Sequence, residues 1–220
     1  MSDAHFTPAY TSAAKRLGSL PEIFTGSDLT VLFGWTSQTA STYLANWRRA
    51  GQVKSLGGRS DVHMNLVKNR NANPELALMR VFPLAIKLGG DVLREAGWTT
   101  QIPQLLQVAV PQPGPVYAVT GFELTPRPVS WFRRVEPGIL RAPGNIHRLQ
   151  PAWALADMIA RARDARVRNA WLLDPDDLDL AAARTDPFMP GALAAFGLKS
   201  DCLTELGYQN RPTSFDLIEA

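Results

Sequence analysis

The sequence predicts an α+β chain, and three observations carry that expectation. Between Ser27 and Leu66, two segments of helical spacing meet at a tight Gly34 turn and lead into a Gly57-Gly58 hairpin. Beyond residue 100 the period shortens to β-branched runs broken by Pro and Gly, and at Pro151 it returns to helical spacing. The order helix, turn, longer helix, hairpin reads as a winged helix-turn-helix, followed by a mixed α/β domain with a small sheet. The polar stretch NRNANPE, residues 69–75, suggests domains of 1–72 and 73–220.

Residues 9–20 form a first helix with Ala13, Leu17 and Leu20 on one face, capped by Thr11 or Ser12 and stopped by Pro21. Ser27 is expected to cap a second helix carrying Leu29, Leu32 and Phe33, ending at Gly34. Thr36 or Ser37 caps a third helix that runs to Ala50, with Gly51 as its stop. Residues 53–67 then make a hairpin in which Val62, Met64 and Leu66 point inward while Asp61, His63 and Asn65 point outward. In the second part a helix starts at Glu75, and Pro83 is placed at the start of another. Gly89-Gly90 marks a bend before a helical turn from Asp91 to Ala96. LLQVAV (105–110), PVYAVTG (115–121) and VSWFRRV (129–135) read as strands. A helix from Pro151 carries Trp153, Leu155, Ile159 and Val167, and the last third, 175–220, is helical and acidic.

Composition narrows the chemistry. Net charge is +3, unevenly placed: residues 1–72 hold eight Lys/Arg against four Asp/Glu, and 73–220 hold fifteen against sixteen. A basic first module suits phosphate attraction. No apolar run reaches the roughly 18 residues that cross a bilayer, and the opening MSDAHFTPAYTSAAKR has no apolar export core. Cys202 is the only cysteine, which rules out an intrachain disulfide and suits a reducing cytoplasm. His5, His63 and His147 are scattered, so neither a zinc site nor any other metal or cofactor is expected. There is no GxGxxG, GxxxxGK[ST] or GxSxG, and an enzyme is not expected.

In the third helix Ala40, Leu44 and Trp47 recur at core spacing, leaving Ser37, Gln38, Ser41, Thr42, Asn46 and Arg49 on the other side. Such a face suits the major groove: Gln pairs with adenine, Arg with guanine, and hydroxyls reach phosphate or base edges. The first turns of such a helix reach the bases, which favours Ser37, Gln38, Thr39 and Ser41, while Arg48 and Arg49 suit phosphate. The hairpin adds Lys54, Arg59 and His63 as backbone or minor-groove contacts. Double-stranded DNA is therefore the expected partner, although the same polar face also satisfies solvent alone. Two other classes remain open. Asp174, Asp176, Asp177 and Asp179 are a candidate Mg²⁺ cluster for a nuclease, against a reading as helix caps. A scaffold that binds proteins but not DNA is the other. Arg127, Arg133 and Arg134 either extend a DNA surface or pair with those carboxylates.

GSDLTVLFGW (26–35), GGDVLREAGWTTQIPQ (89–104), QVAVP (107–111), FELTPRPVSWF (122–132) and LQPAWALADMI (149–159) stand in an order and spacing that resemble one family. The chain is similar, up to about residue 195, to the AbiEi-like antitoxins of type IV toxin–antitoxin systems, which are bacterial transcriptional regulators. The resemblance implies a winged helix that binds operator DNA and represses its own operon, and an α/β domain that carries the antitoxin activity. It further implies a nucleotidyltransferase-like toxin, antagonised without a stable complex, and no catalytic residue. The positions that correspond to a functional site are the helix-turn-helix at 26–50 and its wing at 53–66.

Overall fold

A computed structural model describes residues 12–57, 60–114, 118–164 and 175–208, in a mixed α+β arrangement with two sheets. The chain divides into two compact units, 1–83 and 84–220. The division falls later than the polar stretch suggested, because the helix that follows this stretch packs on the first unit's sheet. No helix among the described residues is long and apolar enough to cross a membrane.

In the first unit, α1 (Ala13–Ser19) is capped by Ser12, whose hydroxyl accepts from Lys15 N. It buries Leu17, with Leu20 just beyond its end. A short strand that the sequence did not signal, β1 (Ile23–Thr25), leads into α2 (Gly26–Phe33). Thr25, not Ser27, caps α2: its hydroxyl accepts from Asp28 N at 3.2 Å, and the Asp28 carboxylate accepts from Thr25 N at 2.7 Å. Gly34, at φ 64°, ends α2 in the left-handed conformation that costs other residues a Cβ clash. Thr36 caps α3 (Ser37–Arg49).

Strands β2 (Val53–Ser55) and β3 (Val62–Asn65) complete an antiparallel sheet of order β1-β3-β2, with Ile23 opposite Met64 and Val53 opposite Asn65. The helix α4 (Pro74–Val81), capped by Asn73, packs on β3. Leu17, Leu20, Phe24, Leu29, Ala40, Leu44, Trp47 and Val53 form one apolar core. Leu32 is 56% exposed, since Leu29 and Phe33, four positions apart, make the stripe by which this two-turn helix meets the core.

The second unit carries β4 (Ile86–Lys87), α5 (Gly90–Glu95), β5 (Leu106–Pro111), β6 (Phe122–Arg127), α6 (Val129–Val135), β7 (Ile139–Leu140), β8 (His147–Leu149), α7 (Pro151–Ala162), α8 (Leu180–Thr185), α9 (Met189–Ala195) and α10 (Cys202–Tyr208). Its sheet has the order β6-β5-β4-β8-β7; β5 runs parallel to β6 and β4 to β8, and the remaining pairs are antiparallel. Pro83 starts no helix: α4 has ended, and the chain turns into β4.

VSWFRRV is a helix rather than a strand. Trp131 and Val135 stand four apart and are both buried, while Ser130, Arg133 and Arg134 face solvent, so amphipathic packing overrides the β-branched and aromatic content. The neighbouring FELTPR, with its internal Pro126, is the strand. Of PVYAVTG, residues 115–117 lie outside the described residues, and Val119 makes a single bridge to Phe122. Helix α7 is buried continuously from Ala152 to Ile159, which explains its run of small and apolar side chains. Trp153 packs so closely on Gly138 that a Cβ there would lie 2.1 Å from its ring. Val167 and the last twelve residues, 209–220, lie outside the described residues.

Candidate functional site

The helix α3 turns its apolar positions inward and leaves a polar row outside. Ala40, Leu44 and Trp47 are 3%, 5% and 3% exposed, whereas Ser37, Gln38, Ser41, Thr42, Asn46, Arg48 and Arg49 are all exposed. Several of these groups are already oriented. Thr42 Oγ1 donates to the Gln38 carbonyl at 3.0 Å, and Arg49 Nη1 donates to Asn46 Oδ1 at 3.1 Å. Thr39 is half-buried, and its hydroxyl lies 2.9 Å from Thr36 Oγ1, which makes it part of the helix cap. Lys54 projects from β2 into solvent. Arg59 lies outside the described residues.

The pose of α3 is set by aromatic packing that sequence reasoning did not single out. Trp35, in the turn after α2, stacks on Tyr43 of α3 with ring centroids 4.2 Å apart, and Phe33 and Trp47 flank the pair. The Arg16 guanidinium sits 4.9 Å from the Tyr43 ring and 5.4 Å from that of Trp35. Each aromatic pair of this kind is worth about 0.5–1.5 kcal/mol beyond area burial, so together they hold the turn and α3 against each other.

His63 does not reach the surface. The residue is 4% exposed; β3 is the central strand of its sheet, and α4 packs on it. Its ring packs 5.6 Å from that of Phe24. Burial lowers its pKa, against the opposing pull of Asp61, so the neutral imidazole is favoured. Its Nδ1 is buried without a hydrogen-bond partner. A wing contact from His63 is therefore withdrawn, and Asn65 is buried likewise, with its amide donating to the Leu17 carbonyl at 2.6 Å. The hydrophobic alternation along β3 suggested one solvated face, yet all four of its residues are buried, because elements packed over the sheet, not the period of the strand, decide whether the second face is covered.

The structure adds Asp61, which the sequence reading passed over. A cleft of about 160 Å³ opens beside the first turns of α3, lined by Gly26, Ser27, Thr30, Ser37, Ser41 and Asp61 together with the apolar Ala40 and Leu44.

In the second unit Arg127 turns inward. Its guanidinium pairs with Asp157, which also accepts from Trp131 Nε1 at 2.7 Å, and it lies over the Trp131 ring. Arg127 thus pairs with a buried carboxylate and does not extend a surface. Arg133 and Arg134 are exposed, with Arg134 over the Phe196 ring. Of the acidic cluster, Asp174 lies outside the described residues. Asp177 accepts from Gln101 Nε2 at 2.9 Å, and Asp179 caps α8 by accepting from Ala182 N at 2.9 Å. Among the described residues no three His, Cys, Asp or Glu side chains are grouped to hold a metal ion. Cys202 is buried and its thiol pKa is raised by that burial, the wrong direction for a nucleophile.

No protein-family model matches the chain, and no curated protein matches it. Among solved structures, the crystal structure of RV2827C protein from Mycobacterium tuberculosis is similar over 89% of this chain and 69% of that one, at 14% sequence identity and a TM-score of 0.48. A likeness of that degree carries no functional argument.

Proposed function

We propose that this chain is a DNA-binding transcriptional regulator whose first unit is a winged helix-turn-helix. In this reading α3 lies in the major groove of an operator, and the β2–β3 hairpin lies against the backbone. The single observation that carries the proposal is the exposed row from Ser37 to Arg49, on a helix whose opposite face is locked into the core. The row offers hydroxyls, carboxamides and a guanidinium at the spacing of one helix face, the group types that read base edges and phosphates. The element order α1-β1-α2-α3-β2-β3, with its β1-β3-β2 sheet, supports this reading.

The resemblance through residues 26–35, 89–104, 107–111, 122–132 and 149–159 supports a narrower form of the proposal. The chain is then the autoregulating antitoxin of a type IV toxin–antitoxin system, non-enzymatic and cytoplasmic, acting against a nucleotidyltransferase-like toxin. Its second unit carries the antitoxin activity.

Fluorescence anisotropy of the full chain with duplex DNA from upstream of its own gene tests the DNA reading. Binding that weakens steeply with salt is expected, since roughly four to six phosphate contacts lose on the order of a hundredfold to a thousandfold in affinity between 50 and 200 mM salt. Salt-insensitive binding, or none to any upstream segment, refutes it. Growth rescue on co-expression with a neighbouring nucleotidyltransferase-like product tests the antitoxin reading separately.

A further inference from the structure

One carboxylate stands among the hydroxyls of the candidate reading face, and its position is held from several sides. Asp61 directly precedes β3, and its backbone carbonyl accepts from Gly26 N at 3.3 Å, which ties the returning arm of the hairpin to the first residue of α2. The carboxylate lies over the Gly26 backbone, where a Cβ would come 2.5 Å from Oδ1. Its Oδ1 is 3.8 Å from His63 Nε2, and the Asp61 side chain keeps 61% of its surface open to solvent. It lines the same cleft as Ser37 and Ser41, in the half of α3 that meets bases in helix-turn-helix docking.

The chemistry of that position is specific. Ser27, Thr30, Ser37 and Ser41 can donate or accept, whereas an ionised carboxylate only accepts. The buried His63 favours its neutral form, so near neutral pH it does not cancel the Asp61 charge. A negative group on a DNA-facing cleft works against phosphate binding. It becomes favourable only where the groove itself offers a donor. The exocyclic amines of cytosine and adenine are the two major-groove donors, and a lone carboxylate matches the cytosine N4 amine, because adenine is read by a group that both donates and accepts.

We propose that Asp61 is a specificity-determining residue that accepts a hydrogen bond from a cytosine N4 amine in the major groove. The proposal rests on the reading of this unit as a DNA-binding winged helix. Asp61 then contributes little to overall affinity and much to selectivity, since it repels every duplex that lacks the amine at that position.

Selection from a pool of randomised duplexes by the full-length chain tests the proposal, with Asp61→Asn and Gly26→Ala compared against the parent chain. The parent is expected to enrich a motif with cytosine at one fixed position. Asp61→Asn is expected to lose that cytosine in favour of adenine or no preference, with discrimination falling by about threefold to tenfold, while binding to unselected duplex tightens. Gly26→Ala keeps the charge but displaces the carboxylate, and is expected to weaken the same preference without tightening unselected binding. If Asp61→Asn binds all duplexes more tightly but enriches the parent motif unchanged, Asp61 is only a source of repulsion and the proposal is overturned. If the parent itself enriches nothing and binds the pool without salt dependence, the DNA-binding reading fails first, an outcome distinct from the loss of one base preference. Asp61 is exposed, so unchanged melting of Asp61→Asn serves to separate a reading defect from a folding one.

Discussion

Replacing Asp157 with Ala is expected to cost the second unit about 3 kcal/mol, and the reasoning runs through a single buried ion pair. The Asp157 side chain is 2% exposed and that of its partner Arg127 12% exposed. Asp157 holds Arg127 by one oxygen and Trp131 Nε1 by the other, at 2.7 Å. Burial raises the Asp157 pKa and lowers that of Arg127, so desolvation outweighs the mutual attraction for both partners. Such a pair adds little net stability, yet removing one member strands the other. The truncation cost is about 3–5 kcal/mol, and the lower end applies because Arg127 retains some access to water. Arg161, close enough to push the Arg127 pKa further down, adds to the penalty. For a unit of this size about 3 kcal/mol corresponds to roughly 10 °C in melting temperature.

Calorimetry of the full chain, reading the transition of the second unit, is the assay. The double variant Arg127→Met/Asp157→Leu is expected to recover about half of the loss, leaving chiefly the unpartnered Trp131 N–H, at about 1–2 kcal/mol. An Asp157→Ala chain that melts within about 2 °C of the parent, below the roughly 3.5 °C expected per kcal/mol, refutes the account. A double variant as unstable as the single one refutes the claim that a stranded charge is the cause.

Three further outcomes are expected. Arg49→Ala loses about 1–3 kcal/mol of operator affinity if its guanidinium meets a base, or shows a salt slope shallower by about one if it meets phosphate; titrations at several salt concentrations decide between them, and no change in either means that the face is idle. Gly138→Ala forces a methyl into the Trp153 ring and destabilises the second unit by about 3 kcal/mol, read as a lowered urea midpoint with unchanged slope. The first unit loses stability on mild acidification. His63 has its folded pKa below the ordinary 6.5, so the unfolded chain takes up the proton first as pH falls. The loss begins near pH 6.5, continues down to the folded pKa and then levels off. Melting at pH 7.5 and 5.5 is expected to show it, and His63→Leu to flatten it.

Much of the first unit is legible in residue order. Ser12, Thr36, Gly34 and Gly51 mark helix ends because capping and left-handed turns depend on one or two local residues. The exposed row of α3 follows from the spacing of Ala40, Leu44 and Trp47. The strand β1 is not legible, since three residues between two helices carry no period of their own. The outward placement of His63 and Asn65 fails for a different reason: a strand's second face is covered or bare according to which other elements arrive there. Of the candidate contacts among the described residues, Ser37, Gln38, Ser41, Thr42, Asn46, Arg48, Arg49 and Lys54 are exposed, Thr39 is half-buried and His63 is buried. The role of Asp61 is not legible in the sequence, because its meaning comes from a cleft formed with residues of α2 and α3 that lie far from it along the chain.

The second unit shows the opposite balance. Local sequence determined the helix from Pro151 and the strand at 106–111, both strongly patterned segments. Tertiary packing decided that 129–135 is a helix and 122–127 a strand, because Trp131 and Val135 gain more from burial on one helical face than β propensity offers them. It also decided the fate of the arginines. The sequence supplied Arg127, Arg133 and Arg134 as three equivalent charges, and only the fold, by setting a buried carboxylate within reach of the first, made that one structural and left the other two at the surface. Propensity and caps act over a few residues and are read locally; burial and charge pairing depend on distances that exist only once the chain has folded.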